Sequence, residues 1–222
     1  MLRFLVGIFL CVSGCSFFAP ANIQTKRSTD LDGRGIKRIA VVLPNGRAPE
    51  PTAQATYAST PPEKGPSEEE LSELLARLVY STMASMPNWQ IVSESEVREV
   101  GQSIPPGADM ARLRKIGEMV YADALIVGRV ERYRERIGNE WGAKTPASVA
   151  FALNLIDVRR GDVIWSARFD ETQKPLSENI FALGQVGERG IRWLSAEQLT
   201  HEGVKKAVAD LHQILVRSPA AS

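Results

Sequence analysis

The chain has 222 residues, 44% hydrophobic and 24% charged, with 27 Lys and Arg against 26 Asp and Glu. That length and apolar content suit one good-sized domain. The near-even charge supplies no basic surface for neutralising phosphates, so nucleic-acid binding is not expected.

The first stretch, MLRFLVGIFLCVSGC, carries one cation, Arg3, then an apolar run from Phe4 to Val12, then small residues. This is the pattern of a secretory signal. Its apolar core of about nine residues is well short of the roughly twenty that span a bilayer as a permanent helix. Residues 1–14 are therefore expected to be removed. Val12, Ser13, Gly14 and Cys15 resemble the lipobox of bacterial lipoproteins, which implies cleavage before Cys15 and acylation of that residue. Each buried methylene adds about 0.8 kcal/mol of membrane affinity, so several acyl chains would hold the protein firmly. Cys11 falls in the discarded peptide, which leaves a mature chain without disulfides that must rely on its apolar core. Losing Arg3 brings the remaining side-chain charges to balance. Ser16 stands where the resemblance would place an aspartate for inner-membrane retention, and so implies the outer membrane, periplasmic face.

Residues 15–35 are mostly polar and read as a tether, with a reach of roughly 25 Å for a flexible coil. Residues 36–217 are expected to form the periplasmic domain. Ile36 to Leu43 is β-branched and reads as a buried strand ended by Pro44-Asn45-Gly46. Residues 45–66 are proline-rich and read as a long loop. Ser67 and Glu70 form a capping box that opens a helix, with Leu71, Leu74, Leu75, Leu78, Val79, Thr82 and Met83 at helical spacing up to Pro87. Trp89 to Ser93 is a short strand, and a second helix follows from about Asp109 to Tyr121. Asp123 to Ile137, Ser148 to Val158 and Asp162 to Asp170 are three more strands. The turn Arg159-Arg160-Gly161 joins the last two, with glycine for its positive φ. Val149, Phe151, Leu153 and Leu155 alternate along one strand and Val163, Trp165, Ala167 and Phe169 along the other, so both rows belong on one buried face. Residues 171–199 read as mostly irregular, and a last helix covers Thr200 to Val216. The class is α/β: a single three-layer-like domain whose mixed sheet starts parallel, continues as an antiparallel three-strand meander, and carries flanking helices.

The early "IAVV" strand, the helix leading to "WQIVSESEV", then "LRKIGEMVYADALIVGRVERY" and "VAFALNLIDVRRGDVIWSARFDE" together resemble lipoproteins built on the TolB amino-terminal-like fold. That group includes the curli-secretion lipoprotein and the lipoprotein activators of penicillin-binding proteins. The resemblance implies an envelope role through a protein partner. A membrane-inserted hairpin of the curli type needs about nine to eleven residues with lipid-facing apolar positions, which neither 45–66 nor 132–146 supplies.

His201 and His212 lie eleven residues apart and are expected to border the buried face without binding metal. Asp123, Asp157, Asp162 and Asp170 fall at strand ends, where aspartates usually bond turn amides; paired in a cleft they could instead do acid–base work. Arg129, Glu131, Arg132, Arg134, Glu135 and Arg136 alternate in sign, as on a solvated strand or a docking edge. No glycine fingerprint for phosphate appears, and no catalytic residue, cofactor or metal is expected. The favoured expectation is a non-enzymatic outer-membrane lipoprotein, held to the membrane by its lipid anchor, that binds an envelope protein in assembly or transport. The alternatives are an envelope hydrolase using carboxylates near the 149–170 hairpin, and a homo-oligomer forming a lipoprotein ring.

Overall fold

A computed structural model describes residues 22–42, 65–105, 110–173 and 193–217. The signal segment, Cys15 with its lipobox, nearly all of the proline-rich loop and most of the 171–199 segment lie outside the described residues. The chain folds as one mixed α/β domain. Its strands are β1 (Ile23–Arg27), β2 (Arg38–Val41), β3 (Gln90–Ile91), β4 (Ala124–Arg134), β5 (Ile137–Asn139), β6 (Gly142–Thr145), β7 (Ser148–Asp157) and β8 (Val163–Thr172). Its helices are α1 (Glu68–Ala84), α2 (Glu94–Ser103), α3 (Met110–Met119) and α4 (Ala196–Arg217).

Six strands make one sheet in the order β1-β8-β7-β4-β2-β3, and β5 pairs with β6 alone. The β3-β2-β4 part is parallel, and β4-β7-β8-β1 is antiparallel. Parallel start and antiparallel meander are both as expected. The meander is less continuous than expected, because the β5-β6 hairpin leaves the sheet between β4 and β7.

Alternation along the strands feeds two cores. Ile39, Val41, Ile126, Phe151, Leu153 and Leu155 face α1 and α4, while Ala40, Leu125, Val127 and Ile156 face α2 and α3. α1 begins as expected: the Ser67 hydroxyl accepts from the Glu70 amide, and the Ser67 amide donates to the Glu70 carboxylate at 2.7 Å. α2 was not anticipated. It starts at Ser93, whose hydroxyl accepts from the Glu96 amide.

The tether expected through Gly35 ends much earlier. β1 is already an edge strand of the main sheet, with Ile23 opposite Phe169 and Arg27 opposite Trp165. A 3-10 turn at Leu31–Gly33 follows and buries Leu31 in the core, a gain of about 2 kcal/mol for a side chain of that size. A chain cut at Ile36 would lose both.

The β7-β8 turn has Gly161 at φ 74°, the left-handed region anticipated for it. A side chain there is strained by about 1–2 kcal/mol, and a Cβ would also meet the Arg114 Cδ at 2.8 Å. Gly161→Ala is expected to lower the urea midpoint accordingly without changing the far-UV circular dichroism. Val163 departs from the expected buried row and is 48% exposed. A register shift after Leu155 inserts Ile164, which takes a buried place beside Trp165, as a β-bulge does when two residues oppose one.

Candidate functional site

The four strand-end aspartates do not share one cleft: Asp157 and Asp162 meet at a single guanidinium, while Asp123 and Asp170 stand apart. The Asp123 carboxylate accepts the Lys37 and Arg38 amides at 3.0 and 2.8 Å and so ties the start of β2 to β4. Asp157 accepts the Arg159 and Arg160 amides of the β7-β8 turn. Its other oxygen takes a 2.8 Å bond from Arg34, whose guanidinium also holds Asp162 through two 2.8 Å bonds and Asp30 at 2.7 Å. The Arg34 and Asp157 side chains are each only 7% exposed.

This clamp was not anticipated, since Arg34 sat in the expected tether. It sets the protonation of its members. Burial pushes the Asp157 carboxyl up, but the bonds from Arg34 and the two turn amides outweigh it and hold the group below its ordinary range. The Arg34 bonds hold Asp162 low. The Ser28 hydroxyl and then Arg34 do the same for Asp30. Asp170 lies eight residues beyond Asp162, near the other end of β8, which at about 3.3 Å per residue places it roughly 26 Å away. It pairs with Arg132. Two carboxylates so far apart cannot share one acid–base step.

His212 donates from Nε2 to the Pro87 carbonyl at 2.8 Å and packs edge-on to Trp89 with ring centroids 5.0 Å apart. His201 is exposed. Among the described residues no group of three or more His, Cys, Asp or Glu could hold a metal ion, and no helix is long and apolar enough to cross a membrane.

The charged residues of β4 belong to a polar sheet face. On the side opposite α1 and α4, the helices α2 and α3 pack against β2, β4 and the end of β7. The rest of that face is built by β1, β8, β7 and the second half of β4. The register aligns Gln24, Arg168, Ala152 and Arg129 in one row, and Lys26, Ser166, Asn154 and Val127 in the next. Glu131 accepts from Arg168 at 2.8 Å and from Arg129 at 3.3 Å. Arg132 reaches Asp170 and the buried Ser148 hydroxyl, the latter at 2.7 Å. A shallow polar depression lies among Asn22, Gln24, Arg168 and Asp170. Among the described residues of this face the cations, Lys26, Arg129, Arg132, Arg134 and Arg168, outnumber the acids Glu131 and Asp170. The end of the expected charged run serves the fold instead: Glu135 accepts the first amide of α4, at Ala196, and Arg136 donates to the Trp193 carbonyl. The contribution of β1 was missed because four of its five residues are exposed, which leaves only Ile23 as an apolar signal.

No protein-family model and no curated protein matches the chain. Solved structures similar to it include a PelC dodecamer from Paraburkholderia phytofirmans, with a TM-score of 0.44 at 15% identity over 86% of this chain and 96% of that one. The C-terminal domain of LpoB from Salmonella enterica gives 0.36 at 16% over 63% and 84%. The lipoprotein GNA1162 from Neisseria meningitidis gives 0.38 at 16% over 69% and 96%. At such TM-scores the likeness decides neither the fold family nor the activity.

Proposed function

We propose that the chain is a non-enzymatic lipoprotein with a TolB amino-terminal-like domain, anchored through Cys15 in the outer membrane on its periplasmic face, and that it binds another envelope protein. The observation that carries this reading is the run Val12-Ser13-Gly14-Cys15 directly after an apolar segment of signal length. The strand-end aspartates support the non-enzymatic part, since each is committed to a turn, a strand start or an ion pair. The polar face of β1, β8, β7 and β4 is the surface assigned to the partner. Its excess of cations calls for an acidic patch on that protein, because complementary charge steers encounter and fixes register.

Cys15→Ala is expected to move the protein from the outer-membrane fraction to the soluble periplasm; a variant that still sediments with outer membrane removes the anchor from the reading. Arg168→Glu, at an exposed position, is expected to abolish recovery of the envelope partner in a pull-down that the wild type supports. Equal recovery by both would take the partner off this face, and no envelope partner for the wild type would overturn the role.

A further inference from the structure

Exposed apolar side chains gather at both ends of the main sheet. One end, where β4 and β8 begin, carries Tyr121, Met119 and Val163. The other carries the β5-β6 hairpin, where Trp141 is 69% and Ile137 is 60% exposed. Scattered apolar residues at a surface need no explanation by themselves. The path of the chain separates the two ends.

Asn22 leads into β1, and its carbonyl accepts the Asp170 amide. Two residues further along β8, Thr172 lies opposite Ser148, which lies opposite Arg134 at the foot of the hairpin. Adjacent strands stand about 4.8 Å apart and residues advance about 3.3 Å, so the point where the chain enters the sheet is roughly 15 Å from the hairpin's base. Only six residues lie between Cys15 and Asn22. Whatever path they take, they span at most about 25 Å. That reach lets the hairpin end meet the bilayer that holds an acylated Cys15, while the Tyr121 end and the Arg34 clamp lie at the other end of the strands.

We propose that the β5-β6 hairpin is a second membrane contact, with Trp141 and Ile137 seated in the interfacial layer of the bilayer that holds Cys15. Tryptophan suits that layer because its ring joins a large apolar surface to one polar edge. The exposed Arg134 and Lys144 flank the two apolar residues and face lipid phosphates, whereas Glu135 is occupied at the start of α4. The hairpin lies on the surface and does not insert as a spanning strand, since three- and four-residue strands are far shorter than a bilayer requires. The contact turns a point tether into a fixed orientation, which presents the polar sheet face sideways along the membrane. This inference rests on the anchor reading above.

The test uses the full lipidated chain in vesicles of phosphatidylethanolamine and phosphatidylglycerol, with and without bromine on the acyl chains. Bromolipids are expected to quench part of the wild-type tryptophan emission, and Trp141→Phe to lose that quenching with an unchanged thermal midpoint. Wild type and Trp141→Phe quenched alike, both floating with the vesicles, would overturn the hairpin contact and leave the anchor standing. A wild-type chain that does not float overturns the anchor and the contact together.

Discussion

Replacing Arg34 with methionine is expected to lower the stability of the domain by about 3–5 kcal/mol, the range for removing one partner of a buried ion pair and leaving the other charge uncompensated. The loss is concentrated in Asp157, which is buried and keeps only its two turn amides as partners. Asp30 and Asp162 are about half exposed and regain water. Asp162→Asn alone should therefore cost about 1 kcal/mol or less, as exposed pairs do. Urea unfolding of the three variants Arg34→Met, Asp157→Asn and their combination checks the assignment. If the clamp is the cause, the double variant loses much less than the two single losses added together. Additive losses would mean that Arg34 and Asp157 act separately.

The same clamp predicts the acid limit of the fold. Asp30, Asp157 and Asp162 all have carboxyls held below their ordinary values, while unfolded aspartate titrates near 3.9. Their contribution is fully present above about pH 4 and is lost as pH falls through the lower folded values, where the unfolded chain binds more protons. Without Arg34, burial acts on Asp157 with less opposition and its carboxyl rises. The stability gap between wild type and Arg34→Met should thus be widest near neutral pH and narrow below about pH 4. A gap that stays constant across that window would show that the guanidinium acts by packing alone.

What could be read in the sequence was local, and what could not was remote. The capping box at Ser67 and Glu70 and the alternation of Phe151, Leu153 and Leu155 each lie within a few residues, and they place α1 and β7 correctly. The same local code stands at Ser93 with Glu96, which opens α2. It recurs at Ser195 with Gln198, where both reciprocal bonds form and α4 begins at Ala196, before the expected Thr200. Arg34 is different in kind. Its partners Asp157 and Asp162 are 123 and 128 residues away, and no periodicity reports a contact of that range. β1 fails for a related reason: an edge strand with one polar face shows little apolar patterning, and only its place beside β8 reveals that Gln24 and Lys26 complete a surface with Arg168. The polar face was therefore visible as charges on β4 but not as a surface.

Gly203→Val is expected to lower stability by about 3 kcal/mol or more, because α4 docks on the sheet through a point with no room for a side chain. A Cβ at Gly203 would lie 2.7 Å from the Phe169 ring and 2.8 Å from the Phe151 ring. Those rings are fully buried and stacked, with centroids 5.2 Å apart at 27°, so neither can swing into solvent. Overpacking of this kind typically costs about 1–3 kcal/mol for a few methylenes, and the β-branched valine brings two more carbons than alanine. Gly203→Ala separates the effects. Glycine inside a helix costs about 1 kcal/mol relative to alanine, so the backbone term favours the substitution while the contact opposes it. Gly101 in α2 provides the control: a Cβ there meets nothing within 4 Å, and Gly101→Ala should stabilise the domain by up to about 1 kcal/mol. The same exchange is thus expected to have opposite signs in two helices of one protein, read as opposite shifts of the thermal midpoint. Adding Phe169→Leu to Gly203→Ala should recover part of the loss, since a smaller side chain vacates the space the new methyl needs. A Gly203→Ala variant as stable as Gly101→Ala would mean that α4 shifts freely on the sheet, and that the close approach of helix to stacked phenylalanines does not hold it in place.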